Sequence, residues 1–280
     1  MEVAILLATD LDRTLLPNGE APESAEARPR FRRFAALPEV ILAYVTGRHR
    51  QLVEQAIAEY GLPTPDFVIG DVGSSLYAIR AGEWRADREW QSALRPDWAG
   101  CGPAGLADAL ADIPGLREQE AAKQNDYKLS YYAPPLADPA PLLARVRAAL
   151  AGTGARCNLV WSVDETVGTG LLDVLPVSAS KLHALEFLCR RLEVAPERTV
   201  FAGDSGNDME VLASAVPAVL VANAQEAVRD AAVASAVRAG HGHALYLARG
   251  GLAGMNGNYG AGILEGVAHF IPATRAWLEV

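Results

Sequence analysis

Two carboxylates separated by one residue are the first place to look for chemistry in this chain of 280 residues. Asp10 and Asp12 stand in Asp10-Leu11-Asp12-Arg13-Thr14, directly after the apolar run Val3 to Ala8. Residues two apart on a strand share a face, and a strand that breaks here lets both carboxylates address one site. Carboxylates held that close repel unless a proton or cation lies between them. A hard divalent cation with oxygen ligands resolves the conflict. One carboxylate can then attack while the other donates or accepts a proton. A lone pair of this kind has an ordinary alternative, which is to cap a turn or a helix.

Three more groups follow in order. Thr46-Gly47-Arg48 closes the apolar run Val40 to Val45. A hydroxyl at a strand end suits a phosphate oxygen, Gly47 lets backbone come close, and the amides of a following helix add donors. The ordinary reading of Thr46 is an N-cap. Lys181 opens the helical stretch Leu182 to Leu192. A cation there opposes the helix dipole, a local conflict expected where function overrides preference; otherwise it is a solubilising surface lysine. Gly203-Asp204-Ser205-Gly206-Asn207-Asp208 ends a further apolar run. Asp204 and Asp208 can supply oxygens to a cation and Asn207 can hydrogen-bond a neighbour, although turn chemistry alone explains the composition. Each group has a bland explanation singly. Together they would require independent accidents after successive core elements.

The elements that must position these residues are legible as apolar runs. Val3 to Ala8, Val40 to Val45, Phe67 to Ile69, Thr199 to Ala202 and Val219 to Val221 have the length and continuity of strands buried on both faces. Between them, Arg30 to Leu37, Gln51 to Tyr60, Leu182 to Leu192 and Met209 to Ala215 have helical spacing, and Gly61 is a plausible stop. Such alternation predicts a parallel sheet with helices on both faces, where ligands bind beyond the carboxyl ends of the strands. The chemical residues lie there.

The middle of the chain breaks this pattern. Trp84, Trp90 and Trp98 and many Pro and Gly residues gather there. Lys128 to Tyr132 and Asn158 to Val163 read as strands and Pro141 to Leu150 as a helix. This predicts an inserted α+β domain over 84–170, with the catalytic core made of 1–83 and 171–280. Gly250 to Gly262 reads as a loop with no GxGxxG or P-loop, and Ile263 to Phe270 as a closing helix.

Half of the residues are hydrophobic and the formal net charge is -9. An acidic chain gains nothing from counterion release, which argues against a nucleic-acid partner. Cys101, Cys157 and Cys189 match no metal or redox spacing and read as reduced, small buried side chains. A cytoplasmic location follows. No apolar run has the length to cross a bilayer, and Val3 to Ala8 is too short for a secretory signal. His241 and His243 form an HxH without a third ligand at metal-site spacing.

The four groups, in this order, resemble the haloacid dehalogenase superfamily of phosphotransferases, whose pattern is DxDxT, a Ser or Thr at a strand end, Lys, then GDxxxD or GDxxND. Leu42 to Arg48, Val72-Gly73-Ser74, Lys128 to Tyr131, Gly203 to Asp208 and Gly262 to Phe270 are similar to segments of sucrose-phosphate phosphatases, in the type IIB capped subgroup. The resemblance implies a Rossmann-like three-layer core with a parallel sheet and an α+β cap of type C2B inserted after the third strand. Position 13 departs from the pattern, because Arg13 stands where Asn or Gly is frequent.

The resemblance further implies a magnesium-dependent phosphomonoester hydrolase acting on a sugar phosphate. Asp10 would be the nucleophile that forms an aspartyl-phosphate, and Asp12 the acid and base. Thr46 and Lys181 would bind the phosphate. Asp10, Asp204 and a main-chain oxygen of Asp12 would hold Mg2+, with Asp208 in support. Gly47, Arg48, Lys128 and Asn207 are the expected substrate contacts. Sucrose 6-phosphate or a related disaccharide phosphate is the expected substrate. Mannosylfructose phosphate, glucosylglycerol phosphate and hexose phosphate are alternatives, and association with a sugar-phosphate synthase is expected. Two other classes compete. A phosphoacceptor signalling domain uses similar residues but needs about half this length. A silent sugar-phosphate-binding subunit would have no need of Asp10 and Asp12.

Overall fold

The apolar runs do become strands, in a computed structural model that describes residues 4–136, 138–164 and 168–278. In chain order the strands are β1 (Ile5–Thr9), β2 (Val40–Val45), β3 (Phe67–Gly70), β4 (Ser75–Arg80), β5 (Glu83–Ala86), β6 (Arg117–Glu118), β7 (Leu129–Ala133), β8 (Cys157–Asp164), β9 (Thr169–Pro176), β10 (Thr199–Gly203), β11 (Ala218–Leu220) and β12 (Leu245–Leu247). The α-helices are α1 (Ala27–Ala35), α2 (Arg50–Tyr60), α3 (Arg88–Leu94), α4 (Pro103–Leu110), α5 (Ala140–Ala151), α6 (Lys181–Leu192), α7 (Met209–Leu212), α8 (Glu226–Arg238), α9 (Gly260–Phe270) and α10 (Arg275–Leu278). Val3, expected to open β1, lies outside the described residues.

The chain divides into two compact units, Met1–Arg85 with Lys181–Val280, and Ala86–Ser180. The first holds a sheet in the order β12-β11-β10-β1-β2-β3-β4-β5. From β12 through β3 every pairing is parallel, and β4 folds back antiparallel on β3. The chain therefore runs outward from β1 to β3, then restarts on the other side of β1 with β10. That reversal makes the gap between the carboxyl ends of β1 and β10 the topological switch point.

Burial explains the continuous apolar runs. Ile5, Leu6, Leu7 and Ala8 are all fully buried. Ile5 and Leu7 share a cluster with Phe31 and Phe34 of α1, Val53 of α2 and Ile263, Leu264 and Val267 of α9. Leu6 and Ala8 point to the opposite face, the side on which α6 packs against β3 and α7 against β10 and β11. Each large aliphatic side chain buried this way contributes about 1.5–3 kcal/mol. Gly61 ends α2 with φ 59, the left-handed conformation that glycine adopts without penalty.

The second unit holds an antiparallel sheet in the order β6-β7-β9-β8. Leu129 and Tyr131 of β7, Leu172 and Val174 of β9, and Leu106, Leu110, Val146 and Leu150 of α4 and α5 form its core. Two sequence expectations are corrected here. The boundary placed at residue 171 falls inside β9, whose partners are β7 and β8, so this unit runs on to Ser180. Trp84 belongs to the first unit, where its ring meets Tyr77 at 5.5 Å and Arg50 at 5.2 Å. No helix among the described residues is long and apolar enough to cross a membrane.

Candidate active site

β1 and β10 deliver acidic residues to the switch point. Asp10 follows β1 directly, and its amide still donates to Ala202 of β10 at 2.9 Å. Beyond it the chain turns sharply: the amides of Thr14, Leu15 and Leu16 all donate to the Leu11 carbonyl. β10 ends at Gly203, and Asp204 follows. A methyl group on Gly203 would come within 2.6 Å of the Asp208 carboxylate, so the strand must end in glycine for Asp208 to fold back beside it.

Lys181 ties these ends together. Its Nζ donates to Asp10 Oδ2 at 3.0 Å, Asn207 Oδ1 at 2.8 Å and Asp208 Oδ1 at 2.7 Å. All three ammonium protons are thus directed at oxygens, and the side chain is buried. Burial works to lower the Lys181 pKa, but Asp10 and Asp208 override it and hold it above the usual lysine range. Burial and Asp208 push the Asp10 carboxyl up, while Lys181 pulls it back. Asp208 faces the chain with its other oxygen, accepting from the amides of Asp204 at 3.1 Å and Ser205 at 3.2 Å.

Asp204 is held less tightly. Oδ1 accepts from Thr14 Oγ1 at 3.1 Å, and Oδ2 lies 3.4 Å from Arg13 Nε. Burial and then Asp208 raise its carboxyl to about 6 against the opposing effect of Arg13. One oxygen each from Asp10, Asp204 and Asp208 lie within 4.8 Å of one another, and all three residues are buried. Three carboxylates here face one buried ammonium and one half-exposed guanidinium. Hard oxygen donors and unbalanced negative charge fit a divalent cation of the magnesium type. His241 and His243 belong to no such group among the described residues.

Asp12 is turned away from that cluster. Arg48 donates to it through Nε at 2.8 Å and Nη2 at 2.6 Å, and Asn18 Nδ2 donates at 2.7 Å. Burial alone would raise the Asp12 carboxyl, but the hydrogen bond and charge of Arg48 outweigh it and set it below the usual range. The Asp12 side chain is therefore paired with Arg48 and Asn18.

Thr46 is fully buried at the end of β2, and its Oγ1 accepts from the Arg48 amide at 3.2 Å. An added Cβ at Gly47 would meet nothing closer than Val72 at 3.8 Å, so this glycine does not relieve a clash within the chain. Asn207 is exposed and accepts from Lys181 and Ser205. Lys128 lies in the second unit, 3.8 Å from Asp173, whose other oxygen accepts from Ser130 Oγ at 2.5 Å. Sequence reasoning does not find Asn18 or Asn223. Both brace the turn after β1, and Asn223 Nδ2 donates to the Arg13 carbonyl at 2.6 Å. Pro17-Asn18-Gly19 reads only as a turn. A further signal is the left-handed backbone at Asp71 and Val72, with φ 52 and 58, where Val72 donates to the Thr46 carbonyl.

The parallel, Rossmann-like sheet with this switch point matches the haloacid dehalogenase fold. Residues 3–271 match the model of the sucrose-6F-phosphate phosphohydrolase family, and the chain belongs to that family, whose members are phosphoric monoester hydrolases. Among curated relatives, a Nitrosococcus oceani protein described as a HAD-like hydrolase is 54% identical over 100% of this chain and 75% of its own. Mannosylfructose-phosphate phosphatase of Agrobacterium fabrum is 32% identical over 78% of this chain and 83% of its own. Among solved structures, the sucrose-phosphatase of Synechocystis sp., in complex with sucrose and phosphate, aligns with a TM-score of 0.73 at 25% identity, covering 96% of this chain and 98% of that one.

Proposed function

We propose that this chain hydrolyses the phosphomonoester of a disaccharide phosphate, sucrose 6-phosphate or a close relative, through an aspartyl-phosphate on Asp10. The observation that carries the reading is the placement of Lys181 Nζ between Asp10 and Asp208 at 3.0 and 2.7 Å. A buried ammonium there favours the ionised form of Asp10 against the upward push of burial, orients its carboxylate, and offers positive charge to an incoming phosphoryl group. Attack of one anion on another needs such screening.

In the first step an Asp10 oxygen bonds phosphorus, and the bond from phosphorus to the sugar oxygen breaks. Arg48 holds resting Asp12 ionised, so Asp12 first takes up a proton from solvent and then gives it to that oxygen. In the second step Asp12 takes a proton from water, whose oxygen attacks phosphorus, releasing phosphate and restoring Asp10. Thr46 and Lys181 hold the phosphoryl oxygens. Asp10, Asp204 and the Asp12 main-chain oxygen hold Mg2+, with Asp208 in support, and the ion supplies charge neutralisation at the phosphoryl group. Arg48 serves the site by orienting Asp12. Lys128 stays a candidate sugar contact on the resemblance alone. A cytoplasmic location and a synthase partner complete the reading.

The test is phosphate release with magnesium over sucrose 6-phosphate, mannosylfructose phosphate, glucosylglycerol phosphate and hexose phosphates. Turnover of a disaccharide phosphate that Asp10→Asn abolishes is expected. Activity confined to nucleotides or phosphoproteins would sink the sugar assignment. Normal turnover by Asp10→Asn would remove the nucleophile.

A further inference from the structure

We infer that Arg13 is a resident counter-ion for Asp204 that competes with the divalent cation and sets how tightly the site holds it. The inference rests on the metal reading above and concerns a residue to which that reading gives no role.

Arg13 is placed with care. Its φ is 55, a left-handed conformation that few residues other than Gly, Asn and Asp adopt readily. Both of its backbone polar groups are held: the amide donates to Asn18 Oδ1 at 2.8 Å, and the carbonyl accepts from Asn223 Nδ2 at 2.6 Å. The stem runs over Gly19, where an added Cβ would come within 3.4 Å of Arg13 Cγ. The root of the side chain is thus fixed, and it sends Nε to 3.4 Å from Asp204 Oδ2. Thr14 already holds the other Asp204 oxygen at 3.1 Å.

Two effects of one sign follow. Without a cation, Arg13 stabilises the ionised Asp204. With a cation on Asp204, the guanidinium is either a like charge beside it or must give up its partner. Both weaken cation binding. The exchange is feasible because the Arg13 side chain is 51% exposed and can turn to water, whereas Lys181 is 1% exposed and cannot.

Calorimetric titration of Mg2+ into the full chain tests this, comparing wild type, Arg13→Asn, Arg13→Lys and Asp204→Asn. Asn tolerates the left-handed backbone, so Arg13→Asn is expected to fold, with circular dichroism as the check. We expect Arg13→Asn to bind Mg2+ roughly two- to fivefold more tightly, the range for a partly exposed charge pair. Arg13→Lys should stay near wild type and Asp204→Asn should lose binding. Added Mg2+ should raise the melting temperature more in Arg13→Asn than in wild type. Binding by wild type with equal or weaker binding by Arg13→Asn would overturn the inference and spare the metal reading. Absence of Mg2+ binding in both proteins would overturn the metal reading and the inference with it.

Discussion

Arg48 grips Asp12 with two nitrogens, Nε 2.8 Å from Oδ2 and Nη2 2.6 Å from Oδ1. A planar fork on a planar carboxylate fixes orientation as well as charge. Arg48→Lys keeps the charge and loses the fork, so kcat should fall about tenfold, and Arg48→Ala about a hundredfold, within the range for a mispositioned acid–base group. Phosphate-release kinetics on Asp12→Asn and the double variant decide how Arg48 acts. If it works through Asp12, Arg48→Ala costs little further in the Asp12→Asn background. Multiplicative losses would instead assign Arg48 to the substrate.

Gly266 of α9 lies where the helix crosses Val219 of β11. A Cβ there would sit 2.5 Å from Val219 Cβ and 2.6 Å from its Cγ1. Val219 is fully buried and cannot retreat without moving the strand. Gly266→Ala should therefore destabilise the protein by about 1–3 kcal/mol, the usual cost of overpacking. Pairing it with Val219→Ala should recover part of the loss in denaturant titrations. An unchanged midpoint for the single variant would show that the helix shifts freely.

How much of this was legible follows from what local sequence records. Val40 to Val45 reads correctly because a strand covered on both faces is apolar throughout. Asp10, Thr46 and Asp204 stand out in the sequence because each lies at the end of such a run. The boundary at residue 171 misses β9 because nothing local to Thr169–Pro176 says which sheet the segment joins. α8 goes unnoticed because its buried residues are only Ala232 and Ala236, too small to mark a face. Asn18 and Asn223 carry no local signal, and only the fold joins them at Arg13 across 5 and 210 positions of chain.

Cys157 supplies a prediction in pH. Burial, then Cys101 and Asp97, push its thiol up to about 11. A raised thiol pKa favours the protonated, unreactive form, because the thiolate is the nucleophile. At pH 8 roughly one molecule in a thousand carries the thiolate, and the alkylation rate should rise about tenfold per pH unit until about pH 11. Iodoacetamide labelling of the folded protein, mapped by mass spectrometry, gives that profile. A plateau near the ordinary thiol value would contradict the burial effect.

Lys181 carries the last and sharpest prediction. Its side chain is buried and gives its three protons to Asp10, Asn207 and Asp208. Lys181→Met preserves much of the stem and removes the charge, leaving two buried carboxylates 3 Å or less from an apolar group. Breaking a buried pair from one side costs about 3–5 kcal/mol, because the remaining charge loses its compensation. Asp208→Asn in the same chain removes one of those stranded charges, so Lys181→Met with Asp208→Asn should be more stable than Lys181→Met alone. Neither variant should regain turnover, since Asp10 still lacks the ammonium that orients it. Urea titration separates the two effects from activity. Equal stability of wild type and Lys181→Met would mean that the carboxylates take up protons on losing Lys181. In that case Lys181 would serve the reaction without holding the fold.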